Sequence, residues 1–152
     1  MEKASIDDVE PNAFGRDVDC RGLSEPLGTT DFSINYFRLE PGEGFSNTMH
    51  THMDQEEVFV VVEGEATFTT MDDEVTVGEG EAIRFAPGEY QTGTNETDDP
   101  VVAYAMGAPR DSEDVRVPQD CPECANGNMR AVPGDDGFTL VCPECGAELD
   151  AE

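Results

Sequence analysis

The sequence predicts an all-β protein, an antiparallel barrel or jelly roll, followed by a small cysteine-bearing hairpin. Three observations lead there. Short apolar and alternating runs recur at close spacing from residue 31 to residue 108, punctuated by Gly, Pro and Asp turns. No stretch carries a convincing amphipathic helical period. Four of the five cysteines fall beyond residue 120, as two Cys-x-x-Cys pairs.

A chain of 152 residues suits one domain with a small appendage. Thirty-five acidic residues face eight basic ones, for a formal charge of −27, and Lys3 is the sole lysine. Such a field repels nucleic acid phosphates and anionic membrane surfaces. The acids are spread along the chain rather than gathered in a tail, which describes a solvated acidic surface. This acid-rich, lysine-poor composition resembles the cytosolic proteins of salt-in halophilic archaea. No apolar stretch is long enough to span a bilayer, and the opening MEKASIDDVEPN lacks the apolar segment of a secretory signal, so the expected location is cytoplasmic.

Residues 1–30 are polar and turn-rich, an arm with one short strand at most, from which Phe14, Leu23 and Leu27 would dock on the body. Cys20 has no activating neighbour beyond Arg21 and reads as an inert thiol. The alternation in FSINYFRLE puts Phe32, Ile34, Tyr36 and Arg38 on one face of a strand, and PGEG turns it. Further strands follow at the histidine segment, 57–63, 66–71, 74–77, 82–85 and 101–106, with turns at Gly64, Asp72-Asp73, Gly78 to Gly80 and Pro87-Gly88. A closed antiparallel body is the natural outcome, because it leaves few backbone groups unpaired. Residues 31–108 are this barrel. Residues 109–120, with prolines near both ends and charges between, read as a linker, and residues 121–150 as a separate unit.

The chemistry concentrates in GFSNTMHTHMDQEEVFVVVEG, which holds both histidines of the chain. His50 and His52, two apart on an extended segment, project to one face. A turn through 53–56 then starts a strand on which Glu57, Phe59 and Val61 share the inward face. An unpaired buried carboxylate is costly, and a divalent cation removes that cost. Two imidazoles and a carboxylate form a ligand set that leaves coordination positions open. Tyr36, Tyr90, Tyr104, Arg38 and Arg84 are further pocket candidates, the arginines as anchors for a carboxylate. With no third histidine, proton transfer would fall to a metal-bound hydroxide, Glu56 or a tyrosine.

This segment resembles the first motif of the cupin superfamily: Gly44, His50, His52, Glu57 and Gly64 stand at its spacing. GEAIRFAPGEYQTGTN resembles the second, with Pro87, Gly88 and Asn95 in place. It departs by one extra residue before the proline and by Gln91, which stands where the resemblance implies a fourth ligand, a histidine. Gln91 therefore either offers its amide oxygen to the metal or hydrogen-bonds a bound water or ligand. The resemblance covers about residues 30–108. It implies a barrel holding one divalent metal (iron, manganese, nickel, copper or zinc) and a homodimer.

Cys121 and Cys124, then Cys142 and Cys145, have the spacing of a four-thiolate zinc site. Strands at 129–132 and 138–141, turned by GDDG, would bring the two pairs together, and the unit resembles a zinc ribbon. Zinc would supply its folding energy. Its acidic surface disfavours phosphate contact and suits a protein partner or a structural appendage. Two functions are expected from the whole: a metal-dependent oxygenase or isomerase acting on a small polar molecule, or a non-catalytic cupin sensing a metabolite or metal.

Overall fold

The computed structural model describes residues 1–12, 17–134 and 137–150. Phe14 and the centre of the GDDG turn lie outside them. The barrel strands are β1 (Asp19–Gly22), β2 (Ser33–Leu39), β3 (Thr51–His52), β4 (Glu56–Glu63), β5 (Glu65–Thr70), β6 (Glu74–Gly78), β7 (Ala82–Phe85), β8 (Gln91–Thr94) and β9 (Val101–Ala108). After them come β10 (Val115–Val117), β11 (Met129–Gly134), β12 (Gly137–Val141) and β13 (Glu148–Asp150). A one-turn helix, α1 (Ser24–Leu27), ends at Gly28, whose φ of 66° is left-handed. No helix among the described residues is long and apolar enough to cross a membrane.

The strands form two facing layers, antiparallel throughout. One is β1-β2-β9-β4-β7 and the other is built on β6-β5-β8. An isolated bridge between His50 and Gln91 joins β8 to the histidine segment, where the sheet β3-β10-β11-β12-β13 begins. The 1–30 arm contributes β1, which pairs with β2 along its whole length, and Leu23 is buried as expected. On β2 the expected alternation is present, but Phe37 and Leu39 supply the buried face, so Phe32, Ile34, Tyr36 and Arg38 lie on the outer one.

Between the layers, Phe37, Phe45, Phe59, Phe68 and Phe85 form an aromatic core with Leu39, Val61 and Val101. Phe45 stacks on Phe68 at 5.5 Å, and Phe59 tilts against Phe68 at 4.9 Å. The tight fit explains β8, whose residues stand out in the sequence only as part of a motif. Its inward positions are Gln91 and Gly93, so it has no apolar alternation to detect. A Cβ on Gly93 would sit 2.6 Å from Phe68 Cε1 and 2.7 Å from Phe45 Cδ2. Gly93→Ala should therefore cost about 2 kcal/mol by overpacking, read as a lower urea midpoint at unchanged m-value.

The segment 109–120, expected as a linker, includes β10. It pairs with β3 on one side and β11 on the other. The cysteine hairpin forms as β11 and β12, with β13 added beside β12. Its core holds Cys121, Met129, Leu140 and Cys142, with Val117 of β10 packed against it.

Candidate metal centres

His50, His52 and Glu57 converge where the two layers meet. His50 is fixed by exchanging both backbone hydrogen bonds with Gln91, at 3.1 and 2.9 Å. His52 ends β3 and pairs with Val115, while Glu57 faces inward from β4 in the opposite layer. One donor atom from each of the three lies within 4.8 Å of the others. His52 Nε2 stands 3.5 Å from Glu57 Oε1. A metal with bonds of about 2.1 Å holds adjacent ligand atoms roughly 3 Å apart, so a small inward shift would close the set.

The surroundings favour a cation. Nδ1 of His50 lies 3.1 Å from the Thr48 carbonyl, an acceptor, so that nitrogen carries the proton and Nε2 keeps its lone pair. Burial lowers the His50 pKa, and burial with the neighbouring His50 lowers that of His52 to about 4. Burial raises Glu57 to about 7, although a hydrogen bond from Gln91 opposes the rise. Without a metal the histidines are therefore neutral at pH 7 and the 3.5 Å contact is no ion pair. Gln91 Oε1 is buried without a hydrogen-bond partner, a costly state that a water on a bound ion would relieve. Metal binding at pH 6 should thus release about one proton, from Glu57, and almost none at pH 9. Calorimetry in buffers of different ionisation enthalpy measures this directly.

Gln91 is buried and donates from Nε2 to Glu57 Oε2 at 3.1 Å. One oxygen of the carboxylate thus faces His52 and the other is held by an amide. Four of the other pocket candidates, Arg38, Arg84, Tyr36 and Tyr104, lie elsewhere, and Tyr90 is near Arg116 and Asp114. Arg38 pairs with Glu40, and Arg84 pairs with Glu56 on the outer face at 2.6 Å. Tyr36 and Tyr104 contact each other across β2 and β9 on that same face. The strand parity that turns Glu57 inward turns Glu56 and Arg84 outward. For Glu56, on the same strand as Glu57, sequence alternation carried that information; for Arg84, on β7, it did not. Gln55 was missed: it is buried over Gly107, and its Nε2 donates to the carbonyls of Pro109 and Arg110 at 2.8 and 3.3 Å.

The four cysteines beyond residue 120 also converge, with all sulfurs within 4.8 Å of one another. Cys121 and Cys145 are 3.6 Å apart, and Cys124 and Cys142 are 3.5 Å apart. Those gaps are far beyond a sulfur–sulfur bond and close to the roughly 3.8 Å expected around a tetrahedral ion with 2.3 Å bonds. Two like turns present them. The Ala125 N–H donates to the Cys121 carbonyl and the Gly146 N–H to the Cys142 carbonyl, both at 3.0 Å. Ala125 and Gly146 both have positive φ, 56° and 76°. Backbone N–H groups of Cys145 and then Glu144 stabilise the Cys142 thiolate and lower its pKa to about 6.

Residues 35–107 match the cupin domain family. A protein from Silicibacter pomeroyi, described as a sugar phosphate isomerase from a cupin superfamily, superposes with a TM-score of 0.73 at 23% identity. The match covers 98% of this chain and 97% of that one. A protein from Acidithiobacillus ferrooxidans, whose name proposes a sugar phosphate isomerase, gives 0.65 at 21% identity over 88% of this chain and 81% of its own. A double-stranded β-helix protein of uncharacterised function from Klebsiella pneumoniae gives 0.60 at 19% identity, covering 73% and 87%. No curated protein matches the chain. Likeness at these identities establishes the jelly-roll fold.

Proposed function

We propose that the cupin domain binds one divalent metal through His50, His52 and Glu57, and acts through it as an isomerase or oxygenase on a small polar molecule. The convergence of the three donors from opposite layers, beside buried polar atoms that lack partners, carries this reading. A bound divalent ion would supply polarisation of a carbonyl or hydroxyl group. The chain's own residues set the geometry. The Thr48 carbonyl fixes the His50 tautomer, and Gln91 Nε2 orients the Glu57 carboxylate. Gln91 Oε1 is left to accept a hydrogen bond from a ligand hydroxyl or a water, or to serve as a weak fourth donor.

Two structural neighbours carry the name sugar phosphate isomerase, which supports the isomerase side. In this chain the six described arginines are each ion-paired with a carboxylate. Ligand recognition therefore rests on the metal and on neutral polar atoms. One observation favours a non-catalytic sensor instead: the chain has only two histidines, and both are spent as ligands.

In the same reading the four cysteines hold a structural zinc. The outer face of β2, β9 and β4 pairs two copies of the chain. It presents Ile34, Tyr36, Tyr104 and a groove of about 470 Å³ lined by Phe32, Val58, Arg84 and Met106.

Elemental analysis of the purified protein and of His50→Ala and Cys121→Ser tests the reading. Two metals are expected, one removed by each substitution. A single zinc lost only with Cys121→Ser would remove the barrel site.

A further inference from the structure

We propose that the cysteine unit positions the barrel's metal-ligating strand, so that filling the four-cysteine site tightens metal binding at His50, His52 and Glu57, and the reverse. The inference rests on reading those three residues as a metal site.

β3 is two residues long, too short to hold its place alone. Segment 109–116 holds it and the loop that follows, nearly residue by residue. Thr51 and His52 pair with Arg116 and Val115. The Met53 N–H donates to the Asp114 carbonyl at 2.8 Å. The Asp54 carboxylate accepts from Ser112 Oγ at 2.6 Å and from the Glu113 N–H at 2.7 Å. Gln55 reaches the carbonyls of Pro109 and Arg110. Thr51 to Gln55 are thus tied to one strap, and Glu56 and Glu57 continue onto the end of β9, from which the strap leaves.

The strap is in turn held by the cysteine unit. Arg116 and Val117 pair with Arg130 and Met129. The Arg116 guanidinium donates to both Asp114 oxygens and to Asn128 Oδ1, all at 2.9 Å. Arg130 Nη2 donates to the Glu113 carbonyl at 2.6 Å. Two of the four buried residues in the cysteine unit's core are metal-binding cysteines. So small a core orders only with its ion. Losing the ion frees β11, then β10, then one side of β3. Linkage makes the coupling reciprocal, and couplings of this kind typically change affinity about 5- to 150-fold.

The test uses the full chain in four forms: zinc-loaded wild type, Cys124→Ser with Cys145→Ser, Arg116→Ala, and Arg21→Ala as a control on β1. Manganese(II) is the barrel probe, since a hard ion avoids thiolates. Its binding is followed by electron paramagnetic resonance, and near-ultraviolet circular dichroism checks that the barrel stays folded. Exchange of the Met53 amide is followed separately without manganese. The double serine variant should bind manganese at least about fivefold more weakly and exchange Met53 at least about tenfold faster. Arg116→Ala should fall between it and wild type, and Arg21→Ala should match wild type. Saturating manganese should slow zinc extraction from the wild type by a chelator, which a merely structural role for the cysteine unit would not produce. Equal manganese affinity with and without the cysteine-bound zinc would overturn the coupling alone. A zinc-loaded wild type that binds no manganese would overturn both the coupling and the barrel metal site.

Discussion

Glu57→Gln should make the metal-free protein more stable at pH 8 while abolishing its stabilisation by divalent metal. The Glu57 side chain is 19% exposed, and burial lifts its pKa from 4.5 to about 7. An acid whose pKa is raised on folding holds its proton in the native state while the unfolded chain has lost it. Stability therefore falls as pH rises from about 4.5 to about 7, and then levels off. The shift corresponds to about 3 kcal/mol against the charged native state. Glutamine removes that penalty and keeps the shape. Below about pH 4.5 the two proteins should melt alike. His52 acts in the opposite sense: its pKa is lowered from 6.5 to about 4, so its contribution is lost as pH falls through that window. In the wild type the two effects offset between about pH 4.5 and 6.5, and the substitution should unmask the histidine. Thermal melts in chelator from pH 4 to 9 read all of this. A variant less stable than wild type at pH 8 would show that the carboxylate has a stabilising partner apart from metal.

Asn95→Ala should cost about 4 kcal/mol, seen as a large fall in melting temperature without any direct effect on the metal ligands. Asn95 is fully buried. Its Nδ2 donates to the carbonyls of Leu39 and Asp99 at 3.0 and 2.8 Å. Its Oδ1 accepts from the Thr97 N–H at 3.0 Å and from Thr97 Oγ1 at 2.8 Å. Alanine leaves the buried Leu39 carbonyl and the Thr97 N–H without the amide, at about 1–3 kcal/mol each, and takes from the Asp99 carbonyl one of its two donors, Thr97 Oγ1 remaining. Asn95→Asp should be no rescue, because a carboxylate cannot donate to the carbonyls. A chemical denaturation series on both variants measures the loss.

Most of the barrel was legible because its strands obey a period of two against a buried core. Glu57, Phe59 and Val61 show this: their shared parity predicted one inward face, and all three point inward. The ligand set was legible for the same reason, with two histidines a pleat apart and a carboxylate at a strand start. Gln91 showed its position through the motif, but its bond to Glu57 depends on which layers face each other. β8 was hidden because a glycine beneath two phenyl rings and a polar side chain at the site leave no apolar rhythm. β10 was hidden because Val115 and Val117 lie among charges and prolines, and their partners come from segments far away in sequence. Arg38 and Arg84 could be assigned to a face only once the burial of Phe37 and Phe85 had fixed which parity points inward.

The placement of β10 also bears on association between molecules. Without it, β3 would be an edge strand, two residues beside the site with a row of unpaired N–H and C=O groups open to any other chain. β10 occupies that row and passes the exposed ladder on to β13, a three-residue strand at the far end of the sheet. A short, outlying strand carrying Glu148 is a poor template for intermolecular pairing. The cysteine unit thus keeps the backbone beside the site covered, and in a version of the protein cut after Ala108 the Met53 amide, which loses the Asp114 carbonyl, should exchange with solvent faster.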